Sequence, residues 1–176
     1  MYIPAIGLFI VDIPKNGSST IRKAVTAAHD QTTFHGHIPV SIARQELGDV
    51  DAWALIRDPV ERFTSAINFV YGKGDIHFDD AMNGALRHST VVLKPQADFI
   101  DAETLLFPFE QMEAMLRLIG VQGPLPHENQ SQKRWSVSDV LSHSRGWEVL
   151  DRYAQDQEIR GTVNAETTRT PEKSRS

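Results

Sequence analysis

The chain has 176 residues, and 18 Lys and Arg against 23 Asp and Glu leave a formal net charge of −5, which argues against broad electrostatic binding to nucleic acid or an anionic membrane. The length gives one domain of roughly 150 residues with room for a tail, and 40% hydrophobic with 23% charged residues is a globular composition that folds without covalent staples. There is no cysteine, so disulfides, thiolate metal sites and cysteine nucleophiles are excluded together, and any bound anion must be held by a local site.

The longest apolar stretch, Ala5 to Val11 with Ile13 just beyond, is far short of the roughly 20 residues a membrane helix needs, and no basic segment precedes it as in a signal peptide. The expectation is a soluble chain, cytoplasmic if the source is a microbe or a virus. Ile6 to Val11, bounded by Pro4 and Pro14, predicts a central parallel strand covered on both faces. After the loop Pro14 to Ser18, a helix from Ser19 would place Ile21, Val25 and Ala28 on one face. Strand, glycine loop and helix open a βαβ unit.

An extended piece from Thr32 to His37 leads to a short helix over Val40 to Leu47, and Ala52 to Ile56 predicts a second buried strand. Asp58 then stands at an N-cap, Pro59 at the first helical position and Glu61 three residues after the cap, a capping-box pattern opening a helix to Tyr71. Its apolar stripe is Val60, Phe63, Ile67 and Val70, and Gly72 to Gly74 stops it. Further elements are a helix over Phe78 to Leu86, a strand over Leu105 to Phe107, and helices over Glu110 to Ile119, Ser136 to His143 and Trp147 to Gln157. Met112 and Met115 are expected in the core. From Thr162 almost nothing is apolar, so residues 1–161 are expected to form the domain and 162–176 a disordered tail.

The loop Lys15, Asn16, Gly17, Ser18, Ser19, Thr20 has the chemistry of an anion cradle. Gly17 permits a tight turn and close approach, the helix start offers N–H groups and partial positive charge, Lys15 adds a full charge and the hydroxyls add donors. The bland alternative is a capped turn with a solvated lysine. A nucleoside triphosphate loop would place lysine directly after its last glycine, whereas Lys15 stands two residues before Gly17.

The second candidate is Ile56 to Ser65. It puts Arg57 at a strand end and Ser65 about two turns into the next helix, a span of roughly 10 Å that an arginine reaching back could close on one bound group. A guanidinium fork suits a dianionic phosphate; the alternative is a charged strand end with Ser65 facing solvent. Asp58 and Arg62 are expected to cap and brace the helix. Between the two motifs lies Phe34-His35-Gly36-His37. In an extended segment both histidines share a face, and the spacing alone leaves three readings open: polar surface, a base with its helper, or a metal edge lacking an identifiable third ligand.

Ile13 to Ala24 resembles the 5′-phosphosulfate loop of sulfotransferases that use 3′-phosphoadenosine 5′-phosphosulfate (PAPS), and Ile56 to Ser65 resembles their 3′-phosphate motif. The histidine segment is similar to the Tyr-His-Gly-His of carbohydrate sulfotransferases that modify uronic acids, with Phe34 in place of the tyrosine. Leu93 to Gln96, Phe109-Glu110 and Leu125 to Ser131 resemble later landmarks of that family, so the likeness covers about Ile6 to Tyr153.

The resemblance implies a three-layer α/β/α fold with a central parallel sheet, akin to P-loop NTPases. It implies Lys15, Asn16, Gly17, Ser18, Ser19 and Thr20 on the phosphosulfate, and Arg57 with Ser65 on the 3′-phosphate. His37 would be the base, with His35 its partner and Lys15 stabilising the leaving group. The expected reaction moves a sulfuryl group from PAPS to an acceptor hydroxyl on a glycan or small molecule, without a metal, releasing adenosine 3′,5′-bisphosphate (PAP). Gln96 and Asn129 are given no role. The rivals are a P-loop kinase with Asp58 as a magnesium-site acid, and a nucleotide-binding module without turnover.

Overall fold

The computed structural model describes residues 1–88, 90–125 and 134–167. One sheet runs β1 (Tyr2–Ile3), β2 (Leu8–Ile10), β3 (Asp51–Ile56), β4 (Leu105–Pro108) in that spatial order. β2, β3 and β4 are parallel, and β1 is antiparallel to β2. The sheet is therefore mixed, not wholly parallel as expected. The cause is local: Pro4–Ile6 form a 3-10 turn closed by Gly7 at φ 65, and so short a connection can reach only an antiparallel neighbour. The same turn delays β2 to Leu8 and leaves Ile6 exposed.

Each parallel strand feeds a helix. α1 (Ser18–Ala28) follows β2, α3 (Pro59–Tyr71) follows β3, and α5 (Met112–Leu118) follows β4 after a 3-10 turn; α2 (Val40–Leu47) lies between α1 and β3. The remaining helices are α4 (Phe78–Arg87), α6 (Val137–Ser142), α7 (Gly146–Arg152) and α8 (Ala154–Thr167).

Alternation along the strands sorts side chains to two faces. Leu8, Ile10 and Leu55 pack with Ile21 and Val25 of α1 and Met115 and Leu116 of α5. Phe9, Ala52, Ala54 and Ile56 pack with Val40 and Ala43 of α2 and Val163 of α8. Helices thus cover both sheet faces, an α/β arrangement. On α1 the buried stripe is Ile21, Ala24 and Val25, with Ala28 exposed. A third cluster joins Phe63 and Ile67 of α3 to α4, Val140 of α6, Val149 of α7 and Tyr153; Val70, expected in that stripe, is exposed.

Two differences from the sequence reading lie elsewhere. Thr32 to His37 is not a strand, because Gly36 sits at φ 72 and only Thr33 bridges, to Tyr2. The helix expected over Trp147 to Gln157 breaks at Tyr153, and α8 continues to Thr167, into the stretch expected to be disordered. Val163, 3% exposed in the core, supplies the burial that a composition average hides. Residues 168–176 of the expected tail lie outside the described residues. Among the described residues no helix is long and apolar enough to cross a membrane.

Candidate functional site

The carboxyl ends of β2 and β3 open into a cleft of about 560 Å³, within the usual range for small-molecule sites. In parallel α/β sheets such crevices are where ligands bind. Lys15, Gly17, Ser18, Ser19 and Thr20 line it from the loop after β2 and the start of α1, Arg57 from the end of β3, and Ser65 from α3. The two motifs, 42 positions apart at Lys15 and Arg57, meet in one cavity.

The loop's shape follows from its anchors. Asn16 is 2% exposed and donates through Nδ2 to the Leu55 carbonyl and to Gln96 Oε1, each at 2.6 Å. With Asn16 pulled inward, Lys15 takes φ 68 and Gly17 φ 83. A left-handed non-glycine residue costs about 1–3 kcal/mol and persists only where its surroundings impose it. At Gly17 an added Cβ would also stand 2.3 Å from Met112 Cε and 3.4 Å from Phe109. Asn16, placed by resemblance among the phosphosulfate-binding residues, does not line the cleft. Its Nδ2 is engaged by the scaffold, while its buried Oδ1 has no hydrogen-bond partner among the described residues.

Lys15 turns outward from that strained turn and its amine lies 4.3 Å from the centroid of the Phe69 ring. Burial, and secondarily the Arg57 charge, hold its pKa below the ordinary lysine value. Arg57 donates to the Lys15 carbonyl at 3.3 Å, stacks 4.8 Å from the centroid of Phe109 and pairs with Glu61 at 3.4 Å. Glu61 thus faces Arg57, while Asp58 alone caps α3 by accepting from the N–H groups of Val60 and Glu61. Lys73 joins from beyond the end of α3. Among the described lining residues there are three cations and no carboxylate, in a chain of net charge −5.

The histidines separate. His37 lines the cleft, and its Nδ1 lies 2.6 Å from the Asp12 carbonyl and 3.5 Å from the Asp12 carboxylate. A carbonyl oxygen only accepts, so Nδ1 carries the proton and Nε2 of the neutral ring is the basic nitrogen. His35 does not line the cleft. It contacts Thr33 Oγ1 at 3.2 Å and Glu46 at 3.1 Å, and packs edge-on to Phe9. The shared face expected from a period of two is lost at Gly36, whose positive φ turns the chain. The residue that orients His37 is Asp12, buried at 7% and held by Arg22 at 3.3 Å.

Three residues escaped the sequence reading. Asp12 follows an apolar strand, where a lone acid carries no spacing signal; Lys73 reads as part of a helix stop. Gln96, noted as a landmark without a role, is wholly buried and bonded to both cleft-forming loops. Residues 126–131 of the last landmark lie outside the described residues. No family model matches the chain, and neither a curated protein nor a solved structure does.

Lys15 and a helix start without an acidic first turn, together with Arg57 and Ser65, bring cationic and hydroxyl groups to the cavity, and Phe69, Phe109, Met112 and Val92 supply apolar surface in it.

Proposed function

We propose that the chain is a sulfotransferase that uses PAPS as donor and a hydroxyl, on a carbohydrate or small molecule, as acceptor. The observation that carries this reading is the convergence in one cleft of two separate anion-holding groups, Lys15 with the start of α1 and Arg57 with Ser65, beside an imidazole whose Nε2 is basic. The glycine cradle supports it, since an added Cβ at Gly17 would meet Met112.

When bound, PAPS supplies a sulfuryl group joined to a phosphate that departs readily. Lys15 and the α1 start balance the charge that grows on the departing phosphate in a partly water-shielded site. Arg57 presents a planar fork, and Ser65 a hydroxyl, to the 3′-phosphate. His37 Nε2 takes the proton from the acceptor hydroxyl, and Asp12 keeps the ring in its productive tautomer and stabilises the imidazolium.

A magnesium-dependent phosphotransferase is the alternative of the same class. It needs a carboxylate directed at the phosphates, and Asp58, the candidate, is engaged as the α3 cap and is not among the lining residues. Thermal-shift measurement with PAP, and with ATP plus magnesium, separates the two readings: a ligand at 100 times its dissociation constant stabilises by about 2.7 kcal/mol. Transfer of labelled sulfate from PAPS across glycans and small alcohols then distinguishes an enzyme from a binding module. Stabilisation by ATP alone would overturn the proposal.

A further inference from the structure

We infer that Gln96, buried outside the cleft, fixes the separation between its two phosphate-holding ends and so allows one nucleotide to engage both at once; this rests on the sulfotransferase reading above. The geometry is specific. Gln96 Oε1 accepts from Asn16 Nδ2 at 2.6 Å and from the Arg57 backbone N–H at 3.0 Å, while its Nε2 donates to the Arg57 carbonyl at 2.9 Å. One amide therefore joins the residue next to Lys15 to Arg57 itself.

The direction of each bond is fixed by chemistry. Rotating the Asn16 amide would set its oxygen against the Leu55 carbonyl and Gln96 Oε1, two acceptors. Rotating the Gln96 amide would oppose donor to donor at the Arg57 N–H and acceptor to acceptor at the Arg57 carbonyl. A rigid, single-valued joint results.

Gln96 is itself held at the backbone. The buried Asp156 of α8 accepts from the N–H groups of Gln96 at 2.8 Å and Ala97 at 2.9 Å. Arg62 of α3, fully buried and 4.0 Å from Asp156, donates to the carbonyls of Val92 at 3.3 Å and Lys94 at 2.5 Å. The segment carrying Gln96 is thus tied to two helices, and its side chain extends from a fixed base to the two loops.

The functional consequence is a chelate effect. When two half-sites are rigidly spaced, binding of one phosphate presents the second at high effective concentration, and a loose joint forfeits that gain without weakening either half-site. Gln96 acts through Asn16 and Arg57 and is a positioning residue.

Calorimetric titration of the full chain with PAP, adenosine 5′-phosphate and adenosine 3′-phosphate tests this. The wild type should bind PAP at least ~100-fold more tightly than the better monophosphate. Gln96→Met, of similar shape, should keep each monophosphate within about twofold, the scatter of uncoupled sites, yet lose at least ~10-fold of the PAP advantage. A Gln96→Met protein that retains the advantage, or weakens all three ligands alike, overturns the inference. A wild type without any PAP advantage overturns the sulfotransferase reading and the inference with it. Should Gln96→Met not fold, the same three titrations on Gln96→Asn decide, since an amide one methylene shorter cannot span Asn16 and Arg57: an undiminished PAP advantage overturns the inference.

Discussion

Arg57 Nη1 donates to the Lys15 carbonyl at 3.3 Å, so the arginine at one strand end also steadies the lysine loop at the other. Substituting Arg57 therefore removes one long contact to the Lys15 loop in addition to its own fork. Arg57→Lys keeps the charge but loses the planar fork. A charge-assisted hydrogen bond is worth about 1.5–3 kcal/mol, which sets the expected loss of PAP affinity at about 10- to 100-fold. Adenosine 5′-phosphate should lose much less in the same titration; equal losses would detach Arg57 from the 3′-phosphate.

Lys15 gives the pH dependence its sign. Burial and the Arg57 charge lower its folded-state pKa below 10.5, so the charged amine opposes folding below that lowered value. The penalty fades as pH rises through it toward 10.5. Anionic ligands need the proton, so PAP affinity should fall on the alkaline side beginning below 10.5, with proton uptake on binding. Calorimetry in buffers of different ionisation enthalpy reads that uptake. Lys15→Arg, which stays protonated, should abolish it.

His37→Ala should slow sulfate transfer by about 10²–10⁴-fold, the usual contribution of general-base catalysis, with PAP affinity retained. Asp12→Asn should lower kcat with little change in the KM for PAPS, because it removes the carboxylate 3.5 Å from His37 Nδ1 that stabilises the imidazolium, while the Asp12 backbone carbonyl at 2.6 Å still fixes the tautomer. His35→Ala should leave kcat near that of the wild type. A His35 variant as slow as the His37 variant would contradict the separation of the two rings.

Gly17→Ala combines a backbone conformation at φ 83 with a contact on Met112. A cost of about 1–3 kcal/mol corresponds to a Tm lower by about 2–12 °C for a chain of this size. Gly17→Ala with Met112→Ala should recover only the steric part, because the backbone strain persists. Full recovery in the thermal melt would mean that contact alone mattered.

Ending the chain at residue 161 removes Val163, 3% exposed against the sheet. Burying a valine is worth about 1.5–3 kcal/mol, so the truncated protein should melt several degrees lower, and Val163→Ser in the full chain should reproduce most of the drop. An unchanged melt would make the end of α8 dispensable.

Local chemistry made much of this legible. Asp58-Pro59 specified the start of α3, and the apolar run over 52–56 specified β3, because caps and continuous burial act within a few residues. Lys15 and Arg57 were singled out separately, each at a strand-to-helix junction, and the structure places both on one cavity. What the sequence concealed depends on non-local contact. Asp12 acquires meaning only when residue 37 folds back on it, and Gln96 only when it meets residues 80 and 39 positions away. The antiparallel β1 lies before Pro4, outside the strand read over Ile6 to Val11, and was hidden because two residues carry no periodicity. The divergence of His35 and His37 was hidden by a single glycine dihedral.

The cleft, with no carboxylate among its described lining residues, sits in a chain of net charge −5, so an incoming anion meets two fields of opposite sign. At long range the acidic exterior repels it, and within about one Debye length, roughly 8 Å at 0.15 M salt, Lys15, Arg57 and Lys73 attract it. Added salt weakens both. Dissociation should quicken with ionic strength while association stays nearly flat, the kinetic signature of capture at the mouth of the cavity without steering from afar.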